Sequence, residues 1–258
     1  MKISAVTITL NEEKNIERCL RSVQWADEMV VVDAESTDRT AELARDLGAR
    51  VIVRPWPGST GKQFQYAIAQ AKNPWVFIID ADEEASPELG REIREKTKDP
   101  GESIAFRIPR INYALGRWFD KGSWKESVVR VFRPEHVHYR GQFHQKKDIN
   151  GKVGRMASPL KHYMAMDMVK WLIRSMRLAR IEGEVLYADG RRFSGLKVLS
   201  GFGKFVMRFL FKPGFVYGWA GFFVSFQRFL YVMAQQISIL ELQLGVREPD
   251  RDSERTFR

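Results

Sequence analysis

The chain has 258 residues, of which 44% are hydrophobic and 29% are charged. This composition is typical of a globular protein with one large domain or two small ones, and it excludes an intrinsically disordered chain. The single cysteine, Cys19, excludes a disulfide framework and a cysteine-rich zinc site, and it favours a reducing compartment.

The net charge of +10 is concentrated in one part of the chain. Residues 1–150 contain 24 basic and 23 acidic side chains, residues 151–228 contain 14 and 4, and residues 229–258 contain 4 and 5. Such an asymmetry favours an anionic partner, either a nucleic acid or an anionic membrane surface.

The first residues do not have the pattern of a targeting signal. The apolar run at residues 3–10 is interrupted by Ser4, Thr7 and Thr9, and it ends at Asn11 without a small-residue cleavage site. We therefore interpret this run as a buried first strand, and we expect a cytoplasmic protein.

The first hundred residues alternate between strand and helix patterns. The predicted strands are residues 2–9, 28–33, 50–53 and 75–79, and the predicted helices are residues 12–23, 38–47, 62–71 and one that begins at Ser86 and Pro87. This alternation indicates βαβ units, and therefore an α/β fold with a mostly parallel sheet flanked by helices. Ligands of such sheets bind beyond the carboxyl ends of the strands, where residues 10–12, 33–38 and 80–84 are polar or acidic.

Two carboxylates, Asp80 and Asp82, directly follow the fourth predicted strand. Side chains at positions i and i+2 of a turn can face one hard cation such as Mg²⁺ or Mn²⁺, and a diphosphate can complete the coordination. Such a cation would neutralise the charge on a leaving nucleotide diphosphate. The alternative is a solvated acidic loop, but the position after a buried strand favours a functional role.

Three segments of the sequence together resemble motifs of the family 2 inverting glycosyltransferases, which have the GT-A fold. The segments are Thr9-Leu10-Asn11-Glu12-Glu13, then Val32-Asp33 with Ser36-Thr37-Asp38-Arg39-Thr40, and Asp80-Ala81-Asp82-Glu83. More narrowly, the chain resembles the bacterial branch that includes lipopolysaccharide core β-glucosyltransferases. The resemblance covers residues 1–150 well and continues more weakly beyond them.

This resemblance implies a role for individual residues. The residues implied in binding a UDP-sugar are Thr9, Leu10, Asn11, Glu12, Asp33, Ser36, Asp38, Lys62, Gln63, Asp80 and Ala81. Asp33 and the loop after the first strand would hold the uracil and ribose, and Asp38 would support that loop. Asp80 would lie near the ribose or sugar, and Asp82 would ligate the Mg²⁺ or Mn²⁺ at the diphosphate and so take part in catalysis.

Two positions depart from the family pattern. Ala34 replaces a second acidic residue, which removes one contact to the nucleotide. Gln145 replaces the glutamate that is a good candidate for the general base in this branch, and an amide cannot accept a proton. Either another group is the base, or the activity is low or altered. The candidates for another base are Glu126, Asp148 and His144, of which we favour Glu126. His144 is alternatively a metal ligand, a contact to the diphosphate or a structural residue.

Residues 213–240 contain a single charge, Arg228. A stretch of 28 residues is long enough to span a bilayer, but a charge near its middle is costly there, so we expect two shorter interfacial pieces or a re-entrant hairpin. The preceding residues 196–211 mix Lys197, Lys204 and Arg208 with large apolar side chains, as an interfacial helix does. A buried helical layer or an oligomer interface is the alternative.

The sequence therefore predicts four segments. They are a GT-A nucleotide-sugar-binding and catalytic domain at residues 1–160, a helical extension at 161–195, membrane-associating helices at 196–245 and a polar tail at 246–258. The resemblance implies a metal-dependent inverting transfer of a hexose, with UDP-glucose as the favoured donor. The acceptor would be a lipid-linked saccharide at the cytoplasmic face of the inner membrane.

Two other functions compete with this interpretation. A sugar nucleotidyltransferase is disfavoured because Asn11-Glu12-Glu13 has the wrong charge to hold a triphosphate. A basic nucleic-acid-binding protein is disfavoured because the aromatic side chains lie in apolar runs and are not interleaved with the basic ones. We therefore expect no nucleic-acid partner.

Overall fold

The computed structural model describes residues 1–121, 124, 126–140, 146–165, 167–212 and 214–248. These residues form two compact units. The first unit consists of Met1–Ile111 and the described residues in the range 125–162. The second consists of the described residues in the range 112–124 and those from Tyr163 onward.

The strands and helices follow one another in a mixed order along the chain. In chain order they are β1 (Ile3–Thr9), α1 (Ile16–Ser22), β2 (Glu28–Asp33), α2 (Thr40–Asp46), β3 (Arg50–Val53), α3 (Thr60–Ala69), β4 (Trp75–Ile78), β5 (Glu83–Ala85), α4 (Pro87–Lys98), β6 (Ser103–Ala114), β7 (Arg117–Phe119), β8 (Glu126–Phe132), β9 (Val137–Arg140), β10 (Lys146–Ile149), β11 (Lys152–Arg155), β12 (Leu160–Ala165), α5 (Met168–Ala188), α6 (Gly195–Val206) and α7 (Gly218–Gln243).

The sheet of the first unit is mixed. Its first four strands are parallel, in the order β3-β2-β1-β4, which confirms the α/β alternation predicted for this region. Beyond β4 the order continues with β8, β6, β12 and β5, and the pairs β4–β8 and β6–β8 are antiparallel. Because β1 lies between β2 and β4, the polar segments that follow these three strands share one edge of the sheet.

Helices cover both faces of the parallel strands. On one face, Val31 and Phe77 pack with Leu20 of α1 and Leu89 of α4. On the other face, Val30, Val32 and Ile78 pack with Phe64 and Ile68 of α3. Burial on both faces explains why these strands are continuous apolar runs without alternation.

Two helices begin later than the sequence pattern predicts, and Ser86 caps α4 as predicted. Asn11 has a left-handed backbone conformation (φ 56°), residues 13–15 form a turn, and α1 begins at Ile16. Asp38 accepts a hydrogen bond from the backbone N–H of Thr40, which begins α2. The residues that the sequence pattern places in the first turns of α1 and α2 therefore belong to loops at the sheet edge.

The helices α5, α6 and α7 form most of the second unit. Helix α7 is continuous from Gly218 to Gln243, so the expected division of residues 213–240 into two short pieces or a hairpin is wrong. The reason is that Arg228 is exposed, while another face of α7 packs against α5 and α6. Within the described ranges, no helix has both the length and the apolar character that crossing a bilayer requires.

Candidate active site

The ends of β1 and β2 are joined through the carboxylate of Asp33, which is 1% exposed. Thr9 donates a hydrogen bond from Oγ1 to Asp33 Oδ1 over 2.8 Å. Ser36 donates to the same carboxylate twice, from its backbone N–H (2.9 Å) and from Oγ (2.6 Å). These three donors fix the orientation of a buried carboxylate at the sheet edge.

The loop after β1 is held by the loop after β2. The backbone N–H of Asn11 donates to Ser36 Oγ, and that of Thr37 donates to Asn11 Oδ1, both over 2.8 Å. The backbone N–H of Glu12 donates to Thr40 Oγ1 at the same distance. The two loops therefore form one hydrogen-bonded unit.

Asp38 stabilises this pair of loops by accepting hydrogen bonds. It accepts hydrogen bonds from the hydroxyl and the N–H of Thr40 and from the N–H of Glu13. Burial opposes ionisation of this carboxyl, but the hydrogen bonds outweigh it and hold the pKa of Asp38 below its usual value. The side chain is thus a charged acceptor that caps α2 and supports the neighbouring loop.

Gln63 lies next to this edge through its contact with Arg54. The backbone N–H of Arg54 donates to the carbonyl of Asp33 (2.9 Å), and its Nη1 donates to Gln63 Oε1 (3.2 Å). Gln63 is fully buried, and its Nε2 has no hydrogen-bond acceptor within the described part of the chain. A buried donor without a partner costs about 1–3 kcal/mol, so this amide is suited to bind an acceptor atom of a ligand. Lys62, in contrast, is exposed.

Arg130 organises the acidic turn that follows β4. Its guanidinium group forms two hydrogen bonds to the carboxylate of Asp80, one of them over 3.3 Å, and it also pairs with Glu83 at 2.7 Å. Burial favours the neutral form of Asp80, but the charge of Arg130 outweighs it and holds the pKa of Asp80 below its usual value. Asp80 is therefore an ionised carboxylate in a fixed orientation.

A second arginine extends this network towards Glu126. Arg110 pairs with Glu83 at 3.1 Å and also with Glu126. Glu83 is completely buried, and the backbone N–H of Asp80 donates to it over 3.0 Å. Alternating charges thus connect Asp80, Arg130, Glu83, Arg110 and Glu126 in one chain of ion pairs.

Asp82 points to a different partner, His162. The two side chains approach within 3.4 Å, between His162 Nε2 and Asp82 Oδ2, and the Asp82 side chain is 31% exposed. No group of three or more His, Cys, Asp or Glu side chains suited to hold a metal occurs among the described residues. A carboxylate oxygen and an imidazole nitrogen nevertheless fit a divalent cation whose other ligands are phosphate oxygens and water.

The structure places most of the predicted site residues on the shared edge. Leu10 is half-buried and Ala81 is buried, whereas the side chain of Asp148 is exposed. His144 and Gln145 lie outside the described residues. Sequence reasoning missed Arg110, Arg130 and His162. For Arg130 a signal existed, since it is a charge flanked on both sides by valines within the strand β8.

The chain is similar in sequence to known glycosyltransferases. The family described as Glycosyl transferase family 2 matches residues 4–162, a range that includes Thr9, Asp33, Asp82 and His162. An uncharacterized glycosyltransferase of Rickettsia bellii is 30% identical over 96% of this chain and 91% of its own length. The lipopolysaccharide core biosynthesis glycosyltransferase LpsC of Rhizobium meliloti is 27% identical over 83% of this chain and 82% of its own.

Solved structures are similar over a smaller part of the chain. Glucosyl-3-phosphoglycerate synthase from Mycobacterium tuberculosis, in complex with Mn²⁺, UDP and glucosyl-3-phosphoglycerate, has 27% sequence identity and a TM-score of 0.38. The likeness covers 43% of this chain and 44% of that one. A complex of the same synthase with Mn²⁺, UDP-glucose and phosphoglyceric acid has 25% identity and a TM-score of 0.37, over 45% and 44% of the two chains.

Proposed function

Because the chain belongs to glycosyl transferase family 2, we propose that it transfers a hexose from a UDP-sugar to a lipid-linked saccharide, with inversion at the anomeric carbon. UDP-glucose is the proposed donor. The observation that carries the proposal is the arrangement of Asp33, Asp80 and Asp82 on one edge of a parallel sheet, where such folds bind nucleotides.

The nucleoside is assigned to Asp33 and Gln63. A carboxylate has about four acceptor positions, and three donors from Thr9 and Ser36 occupy Asp33, so one position remains for an N–H or O–H of the nucleoside. The unpartnered Nε2 of Gln63 supplies a donor for a carbonyl oxygen of the base. Uracil presents both types of group.

The diphosphate is assigned to Asp82 and His162. These two side chains would hold Mg²⁺ or Mn²⁺. When bound, the cation neutralises the charge that develops on the leaving UDP. Asp80, which Arg130 holds in place, would orient the ribose or the donor sugar.

The acceptor hydroxyl would attack the anomeric carbon on the face opposite UDP. Glu126 is the proposed general base, and its ion pair with Arg110 connects it to the network that holds Asp80. The lipid-linked acceptor is supported by the similarity to LpsC, which is named for lipopolysaccharide core biosynthesis. We further propose that the transfer takes place at the cytoplasmic face of the inner membrane.

Calorimetric titration with UDP and UDP-glucose, with and without Mn²⁺, tests this function. We expect binding that depends on the metal, and tighter binding of the true donor than of other UDP-sugars. Asp33→Asn should weaken UDP binding, while Glu42→Gln, which changes an exposed carboxylate on α2, should not. Failure to bind UDP in either condition would contradict the proposal.

A further inference from the structure

Residues 190–240 are unusual in charge. They contain seven basic side chains and no acidic one. Most of them form α6, a π-helical turn at Met207–Phe211, a 3₁₀ turn at Gly214–Tyr217 and the larger part of α7. We call these residues the basic segment.

Many large apolar side chains of the basic segment are exposed to solvent. Trp219 is 74% exposed, Phe211 71% and Leu196 79%. The others are Phe193, Leu199, Phe202, Met207, Leu210, Phe215, Val216, Phe223 and Ile237. Soluble proteins normally expose such side chains singly, so this concentration marks a surface that binds an apolar partner.

The geometry of α6 separates its packed side from its exposed apolar side. Gly201 is buried against α7, where an added Cβ would lie 3.1 Å from Val232 Cγ1. At about 100° per residue, Leu196 and Leu199 are rotated by roughly 140° and 160° from Gly201, so they lie away from α7. Lys197 and Lys204 are seven residues apart and therefore share one flank of the helix.

The aromatic side chains beneath this exposed surface are well packed. The rings of Phe205 and Phe226 lie 5.5 Å apart, and Phe222 contacts both Phe205 and Phe209 with ring centroids 5.6 Å apart. Arg208 stacks over the ring of Trp124 at 4.1 Å. These contacts hold α6, the π-helical turn and the start of α7 together as one scaffold.

We propose that the basic segment docks the protein onto a bilayer with anionic headgroups, with α6 lying in the plane of the interface. A membrane interface can bind the exposed apolar side chains and the basic side chains together. The apolar side chains insert among the acyl chains, and the anionic headgroups attract the lysines. A second copy of the chain fits less well, since a two-fold contact would bring the same basic surfaces together. The proposal rests on the proposed function only for its purpose, which is access to a lipid-linked acceptor.

Co-sedimentation of the full chain with vesicles tests this docking surface. We expect binding to vesicles that contain phosphatidylglycerol, little binding to pure phosphatidylcholine vesicles, and weaker binding at high salt. The variant Leu199→Ser/Phe211→Ser/Trp219→Ser should reduce the partition coefficient by about tenfold or more, and Lys197→Glu/Lys204→Glu should do the same.

The matched control is Leu244→Ser. Leu244 is 65% exposed, as Leu199 is, but it lies outside the basic segment near Glu241 and Glu248. This variant should bind vesicles like the wild type, and UDP titration of every variant separates loss of docking from loss of the nucleotide site. Unchanged binding in the triple variant would overturn the proposal. Two other results would also overturn it. One is a wild-type protein that does not bind anionic vesicles, and the other is a wild-type dimer that dissociates in the triple variant and in no other variant.

Discussion

His162 Nε2 lies 3.4 Å from Asp82 Oδ2, although the two residues are far apart in the sequence. The pair exists because β12 runs antiparallel to β5 and its register places His162 opposite Glu83, at the acidic turn. A partly exposed carboxylate beside an imidazole is a suitable pair of metal ligands, whereas Asp80 is bound by an arginine.

We predict that Asp82→Ala abolishes turnover and leaves the fold intact, and that His162→Gln lowers kcat at least tenfold. Both variants should also lose the dependence of UDP binding on Mn²⁺, because each removes one proposed ligand of the cation. Activity assays and calorimetry check this. The control is Glu84→Gln on the adjoining strand β5, which removes a carboxylate that pairs with Lys161 and should have little effect on kcat. Full activity of Asp82→Ala would refute the metal assignment.

Replacing Arg130 should cost more stability than replacing any surface arginine. Arg130→Met leaves the completely buried Glu83 and the neighbouring Asp80 with one cation fewer, so the free energy of unfolding should fall by about 3–5 kcal/mol. Urea denaturation measures this. Arg21→Met, which breaks an exposed ion pair with Glu17, should change stability by about 0.5 kcal/mol or less. Equal losses in both variants would contradict a structural role for the network.

Gln63 should matter for nucleotide binding more than for folding. Gln63→Leu removes a buried donor that has no partner among the described residues, so the free energy of unfolding should change by no more than about 1 kcal/mol. The affinity for UDP should fall about five- to tenfold, because one hydrogen bond to the base is lost. Calorimetry and urea denaturation on the same protein separate the two effects. An unchanged affinity would remove Gln63 from the nucleotide site.

The close packing of α5 on α7 depends on Gly183. An added Cβ at Gly183 would lie 2.7 Å from the carbonyl oxygen of Gln235, so Gly183→Ala should destabilise the protein by about 1–3 kcal/mol. Gly203→Ala on α6 is the matched control, since no atom lies within 4 Å of its added Cβ. It should stabilise the protein by about 0.4–1 kcal/mol through helix propensity. Thermal denaturation of both variants tests the contrast, and a stable Gly183→Ala would argue against this helix contact.

We expect the stability of the protein to depend on pH through Lys147. Burial, assisted by the nearby charge of Arg130, lowers the pKa of Lys147 to about 7, while its pKa in the unfolded chain is about 10.4. Between these values the unfolded chain binds a proton that the folded chain has lost, so stability increases with pH by up to about 1.4 kcal/mol per unit. Lys147→Met should remove this slope in urea denaturation between pH 7 and 10. Lys152→Met, which changes an exposed lysine, should retain it.

The amino-acid sequence by itself determined the parallel half of the sheet and its functional edge. The apolar runs of β1, β2 and β4 and the helical spacing between them are local patterns, and each strand ends where polar residues begin. The capping of α4 by Ser86 was equally local, since the side chain accepts a hydrogen bond from Leu89 three residues later. The position of Asp80 and Asp82 at this edge could also be predicted, because they follow the buried strand β4.

Only the tertiary structure decided which side chains meet at that edge. Arg130 and His162 reach the acidic turn through antiparallel strands from distant parts of the chain, and local periodicity carries no information about such pairing. The continuity of α7 was also decided by packing, because α5 and α6 cover one side of the helix and leave Arg228 exposed on another. Long-range contacts thus fixed the ion-pair network and the exposed basic segment.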